Sequence, residues 1–354
     1  MAKGKPKKAK AASRKPKRGG GLRAFFALLL IALAAGGWWV WRDWTAFVDT
    51  PLRVGEAAVL DVPSGASFAA IRRQIRDAGF SDAHDLYWRA LAQRMGVASR
   101  LRAGEYAVPP GTTPRELLRR MAAGDVIRHR FTIVEGWTFR QLRSALAAET
   151  GVRQSLATLS DAEIMRKLGA GADHPEGRFL PETYLWTRGD SDVDLLRQAH
   201  EAMTRALDQA WTARAPDLPL ESAYQALILA SIVERETGKA DERPAIAGVF
   251  VRRLRLGMKL QTDPTVIYGL GSSFDGNLRR RDLDTDTPYN TYTRVGLPPT
   301  PIALPGAAAL RAAVQPAPGD ALYFVARGDG SHEFSANLDA HNRAVARYQL
   351  RRTP

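Results

Sequence analysis

The feature that most constrains this chain is a run of 18 residues without a charge, AFFALLLIALAAGGWWVW, Ala24 to Trp41. At 1.5 Å per residue, a helix of that length is roughly enough to cross the hydrocarbon core of a bilayer. Ten Lys and Arg and no acid occupy residues 1–23. Trp38, Trp39, Trp41 and Trp44 stand where an interfacial aromatic belt would lie. The positive-inside bias then puts the N-terminus in the cytoplasm. A cleaved signal peptide is the competing reading, with Ala32-Leu33-Ala34 as its cleavage site. Cleavage there would leave an apolar, Trp-rich start, so a retained anchor is expected, with everything after Arg42 outside the cytoplasm.

The basic tail also explains the net charge. The chain has 51 Lys and Arg against 37 Asp and Glu, a formal +14. Ten of the basic residues lie in the tail, so the rest of the chain carries 41 against 37. A nucleic-acid function argued from global charge falls away, and no nucleic-acid partner is expected. There is no cysteine, which excludes disulfides, thiolate zinc sites and cysteine nucleophiles. Six histidines, at 84, 129, 174, 200, 332 and 341, have no metal-ligand spacing. Neither a metal nor another cofactor is expected.

A chain of 354 residues exceeds what one core usually organises, so at least two domains are expected. From about Asp49 to Ala123, strand-like pieces alternate with amphipathic helices. The pattern [VI]-x-x-G-x-[ST]-x-x-x-[IL] occurs at Val62–Ile71, Val108–Leu117 and Ile133–Leu142. Each copy reads as strand, tight turn and helix, the glycine making the turn and the hydroxyl capping the helix. Thr113 with Glu116 and Thr138 with Gln141 read as capping boxes. Beyond Arg128 the pattern gives a strand to Glu135 and helices from Thr138, over Asp192–Thr212 and over Arg243–Leu256. An apolar strand, ALYFVA, precedes a last amphipathic helix over Asn337–Leu350. Helices outnumber strands without regular alternation, so the class is α+β. The domains expected are a basic tail (1–23), a transmembrane helix (24–41), a small βα subdomain near the membrane (49–127) and a larger mixed domain (128–354).

Four segments set polar residues in apolar or Pro/Gly frames: EGRFLPETY (Glu176–Tyr184), SIVERET (Ser231–Thr237), LQTDPTVIYG (Leu260–Gly269) and PYNTYTRVGLPP (Pro288–Pro299). No GxSxG elbow, phosphate loop or dinucleotide fingerprint is present. Asp282-x-Asp284-x-Asp286 imitates a calcium loop, but Thr287 and Thr293 stand where Gly and Glu are needed. What remains is Tyr, Asn, Gln, Thr and Asp with a few carboxylates, which suits a polyhydroxylated substrate. Cleaving a glycosidic bond calls for a carboxylic acid whose pKa is lifted toward neutrality. Glu234 and Glu236 both end an apolar helix before Gly238, where burial and the helix dipole act in that direction. Two residues apart, they point to different faces. Periodicity does not choose between them.

These motifs, with YFVA, His332, Phe334, His341 and Asn342 near the C-terminus, resemble the YceG-like endolytic murein transglycosylases (MltG), from about residue 50 to 350. The resemblance implies a LysM-like membrane-proximal part and a YceG-like catalytic domain on the periplasmic side of the inner membrane. It implies peptidoglycan glycan strands as substrate and peptidoglycan synthases as candidate partners, in a role that limits nascent strand length. The family pattern places the catalytic acid at the first glutamate of IVERE, Glu234. Within it, Gln261, Asp263, Tyr289, Asn290 and Tyr292 are expected to line the glycan groove, and Glu182 to bind substrate. Glu176 and Glu182 are expected to brace the structure or hold saccharide, not to transfer protons. One departure stands out. GLPPTPIALPG carries Thr300 and Leu304 where Gly and Asn are expected, which touches fine substrate contacts and not the acid. The alternatives are a hydrolytic muramidase, with a second carboxylate such as Asp263 activating water, and a non-catalytic glycan-binding scaffold tethered to the membrane.

Overall fold

The computed structural model describes Met1, residues 20–171 and residues 173–350. Most of the basic tail lies outside the described residues. The chain divides into two compact units, Met1–Val126 and Ile127–Pro354, and is mixed α+β throughout.

The first unit begins with α1, Gly20–Asp49. Its segment Leu22–Asp49 is long and apolar enough to cross a membrane. Then follow β1 (Ala58–Val62), α2 (Phe68–Asp77), α3 (Asp85–Arg94), β2 (Gly104–Val108) and α4 (Pro114–Ala123). The strands β1 and β2 pair antiparallel, Ala58 opposite Val108 and Val62 opposite Gly104. Inward residues of both strands and the helices close one core, with Leu60, Ile75, Trp88, Tyr106 and Leu117 fully or almost fully buried. The hydroxyl caps form as the pattern implies, since Ser67 accepts from the Ala70 amide and Thr113 from the Glu116 amide. The reciprocal half of the Thr113 box does not form. Glu116 turns instead to Arg119 and Arg120, because two guanidiniums one turn away outcompete a backbone amide.

The second unit holds two antiparallel pairs. One joins β3 (His129–Thr132) to β4 (Thr183–Trp186), and the other joins β5 (Tyr323–Ala326) to β6 (His332–Ser335). Around β3 and β4 pack α5 (Phe139–Ala148), α6 (Asp161–Lys167) and α7 (Asp192–Thr212). At the start of α5 the Thr138–Gln141 capping box closes in both directions. The other core surrounds α8 (Ala223–Glu236), whose residues from Ala226 to Glu234 are all buried. A helix apolar on every side has to be enclosed, and α9 (Arg243–Arg255) and the alanine-rich α12 (Ala307–Val314) pack around it. Between them lie α10 (Asp263–Leu270) and α11 (Arg280–Asp284), and α13 (Leu338–Val345) closes the chain with a π-helical turn over Ala346–Leu350.

Leu304 is fully buried in the β3–α5 core. Its amide donates to Trp137 and its carbonyl accepts from Gly136. Thr300 shares a hydrogen bond with the Tyr289 hydroxyl at 2.8 Å. Both departures from the family pattern therefore hold the loop and touch neither of the cavities described below.

Candidate active site

Helix α8 ends at Glu236 because Thr237 takes up an extended conformation, φ −142° and ψ 137°. Gly238, the stop signal in the sequence, is not left-handed and comes after the turn has been made. The two glutamates therefore sit in the last turn, on different sides of it.

Glu234 faces inward, with its side chain 3% exposed. One oxygen accepts from the Arg243 guanidinium at 2.8 Å and the other from the Gly306 amide at 2.8 Å. Arg243 also reaches Glu135 at 3.1 Å, so the group ties α8, α9, the segment after β3 and the loop before α12 together. A Cβ at Gly306 would meet the Glu135 carboxylate, which would have to move aside. Both oxygens of Glu234 serve fixed donors. It lines neither of the two cavities that flank this helix end, which argues against the assignment drawn from the resemblance.

Glu236 lines a cavity of about 450 Å³ together with Gln261, Thr262, Asp263 and Tyr292. The opposite wall is Arg253, Tyr323, His332 and His341. One Glu236 oxygen accepts from the Thr262 hydroxyl. Burial pushes its carboxyl up to about 7, and the charge of Asp263 adds to the rise, against the opposing Thr262 hydrogen bond. Asp263 accepts from the Tyr292 hydroxyl at 2.5 Å. Gln261 stands at φ 49°, a left-handed conformation costly for a side chain of its size and often kept at functional sites. Its amide donates to Thr291 and the Thr262 amide to the Thr291 hydroxyl, so the buried threonine fixes this strained corner. Arg253 braces the wall by donating to Leu322 and Leu260 while lying over the Tyr323 ring. Glu242 accepts from the His332 amide and holds its Nδ1 at 2.7 Å, which turns the other ring nitrogen outward.

Of the residues expected to line the groove or bind substrate, the cavity unites Gln261, Asp263 and Tyr292 but not Tyr289, Asn290 or Glu182, and it also takes in His332 and His341 of the C-terminal motif. Asn290 is 1% exposed, and its side chain bonds to the carbonyls of Asp282, Leu283 and Thr285 and to the Tyr292 amide. It is a loop anchor, with its hydrogen-bonding capacity consumed. Tyr289 packs edge-on against Tyr268 and bonds to Thr300. Glu182 is exposed beside β4, outside both cavities. Arg253 went unrecognised in the sequence and Tyr323 was noted only within the YFVA motif, since nothing local marks a helix arginine that donates to the Leu322 carbonyl 69 residues away. Among the described residues, no group of three or more His, Asp or Glu is arranged to hold a metal ion.

A second cavity, of about 490 Å³, opens beside the same helix end and contains Glu176. That carboxyl is 3% exposed and accepts from the Phe139 amide at 2.9 Å and the Tyr268 hydroxyl at 3.1 Å. Burial pushes it up to about 7 in spite of these two donors.

The sequence profile described as the YceG-like family matches residues 60–347. An endolytic murein transglycosylase of Bacillus subtilis (strain 168) is 30% identical over 306 residues, covering 82% of this chain and 84% of that protein. An endolytic murein transglycosylase of Streptococcus pneumoniae serotype 2 is 27% identical over 322 residues, covering 81% of this chain and 57% of the longer relative. The crystal structure of a YceG-like protein from Listeria monocytogenes superposes with a TM-score of 0.52 at 27% identity, covering 81% of this chain and 99% of that one.

Proposed function

The chain belongs to the YceG-like family, and on that premise we propose that it is an endolytic murein transglycosylase in which Glu236, not Glu234, transfers the protons. The observation that carries this reading is that Glu236, lifted to about 7, shares a cavity wall with Gln261, Asp263 and Tyr292, whereas Glu234 lines no cavity at this helix end and Glu176 lies in a cavity that holds none of those three. A general acid works best when its pKa lies near the operating pH.

Glu236 in its protonated form donates to the oxygen that bridges N-acetylmuramic acid to N-acetylglucosamine, and the glycosidic bond breaks toward that oxygen. The resulting carboxylate removes the proton from the muramyl C6 hydroxyl, whose oxygen attacks C1 of the same sugar. The product is a 1,6-anhydromuramoyl end, and Glu236 recovers its proton. Because the substrate supplies the nucleophile, the pair of carboxylates used by most glycosidases is not needed. Gln261 offers an amide donor and Tyr292 an acceptor oxygen to the sugar hydroxyls, and Tyr323 offers an apolar face. The proton on Glu236 is retained near neutrality because burial penalises its anion and the neighbouring Asp263 adds to that penalty.

A hydrolytic outcome has one observation in its favour, namely that Asp263 shares the cavity and would be the base for a water. Its carboxylate is already bonded to Tyr292, which favours a positioning role. Mass spectrometry of digested strands decides, because an anhydro end is lighter than a reducing end by one water. Anhydro ends are expected, and reducing ends alone would establish hydrolysis.

The setting of the enzyme is read in the same way. The α1 helix anchors it once in the cytoplasmic membrane, with the tail inside and the body facing the cell wall. The strand–helix–helix–strand order of the first unit supports a LysM-like, glycan-holding role. Peptidoglycan synthases are the natural partners for an enzyme that limits nascent strand length.

A further inference from the structure

We propose that the second cavity receives the carboxylate-bearing peptide substituents of the strand whose glycosidic bond lies at Glu236, an inference that rests on the function proposed above. Two observations join the cavities. Consecutive residues of α8 divide between them, Arg235 on one side and Glu236 on the other, and so do consecutive residues of α10, Pro264 and Asp263. Neighbouring Cα atoms are about 3.8 Å apart. A single ridge made by these two helix ends therefore separates the cavities, and a strand held at one has its substituents within reach of the other.

The charge of the second cavity selects among those substituents. Arg140 and Arg235 line it, and α5 begins there, with the positive end of its dipole at Thr138 and Phe139. Two acids share the lining. Asp161 is paired with Arg143 at 2.5 Å, and Glu176 is buried against Tyr268 and only partly ionised near neutral pH, so the two guanidiniums leave the cavity with a positive surplus. Among the described residues Arg140 has no ion-pair partner, and Arg235 donates only to the Gly136 carbonyl. The sugar backbone of the strand is neutral. The anions it carries are the carboxylates of the peptides attached to its muramyl residues, and guanidinium forks match carboxylates two oxygens at a time.

The test compares two forms of one substrate with the full-length chain in detergent. Both are glycan strands with acetylated amines, and one has its peptide carboxylates further converted to methylamides. Wild type should cut the methylamide strands about tenfold less efficiently in kcat/KM, the loss of one charged hydrogen bond. Arg140→Gln should show that same loss on the carboxylate strands and little further loss on the methylamides, with Arg140→Lys recovering part of it. An unchanged melting temperature separates these effects from misfolding. Equal losses on both strands in Arg140→Gln, or a wild type blind to the methylamides, overturn the proposal. If Glu236→Gln still cuts, it is the proposed function that fails. The cavity is then judged on strand binding, where the same contrast between wild type and Arg140→Gln upholds or overturns it.

Discussion

Two residues apart on one helix, Glu234 gives both oxygens to fixed donors, while Glu236 accepts from a threonine hydroxyl at the edge of a cavity. The sequence contains both glutamates but not this difference. Arg243 follows Glu234 by nine residues across a helix break, and Gly306 comes seventy-two residues later, so the partners that occupy Glu234 exist only in the fold. The apolar helix around the pair was legible, as was the need for a lifted carboxyl. Which one would line a cavity depended on tertiary contacts. Glu176 offers a titration test of burial at the same scale. Its carboxyl moves from an ordinary value near 4.5 to about 7 in the folded chain, so the native state binds the extra proton between those limits. The stability this confers is complete below about 4.5 and is lost as pH rises through about 7. The loss is on the order of 3 kcal/mol for a shift of this size. Urea titrations of wild type and Glu176→Gln should therefore diverge across that window, the wild type losing ground as pH rises. Parallel curves would mean that Glu176 is ionised normally.

At the scale of elements, α8 is fixed by what surrounds it. Ser231 lies buried in its middle, donating to the Ile228 carbonyl at 2.7 Å and accepting from the Ile302 amide at 3.0 Å. That one hydroxyl pins the Pro-rich loop against the helix which carries both glutamates. Ser231→Ala leaves a buried amide without an acceptor, at a cost of about 1–3 kcal/mol. Denaturant unfolding should show that loss, and an unchanged midpoint would mean that the loop is held by its apolar contacts alone. Helix starts were legible because Ser67, Thr113 and Thr138 are caps that act locally. Strand partners were not. The β1–β2 and β3–β4 pairs join segments separated by two helices each, and nothing in an alternating pattern names the partner. The groove suffered in the same way. Asn290 has the chemistry of a sugar-binding residue, yet the loop from Asp282 to Thr285 takes all its donors.

At the scale of the whole molecule, one apolar helix joins a basic tail to two folded units. Its 18-residue uncharged core is wholly exposed, which for a helix of this composition calls for a lipid partner. Fractionation should find the full-length protein in the membrane pellet, resistant to salt and released by detergent. Recovery in the soluble fraction, or a mature N-terminus after Ala34, would rule out the anchor. The central claim, however, is the assignment of the proton-transfer role, and the most direct measurement is a strand digest by three full-length proteins. These are wild type, Glu234→Gln and Glu236→Gln, each confirmed as folded by its melting curve. Glutamine is nearly isosteric but delivers no proton, so Glu236→Gln should keep its stability and lose roughly 10²-fold or more of anhydro-ended product. Glu234→Gln should lose stability by roughly 3 kcal/mol as Arg243 is left half-paired, and keep measurable turnover where it remains folded. The opposite pattern, near-normal release of anhydro ends by Glu236→Gln and none by a folded Glu234→Gln, would contradict the account.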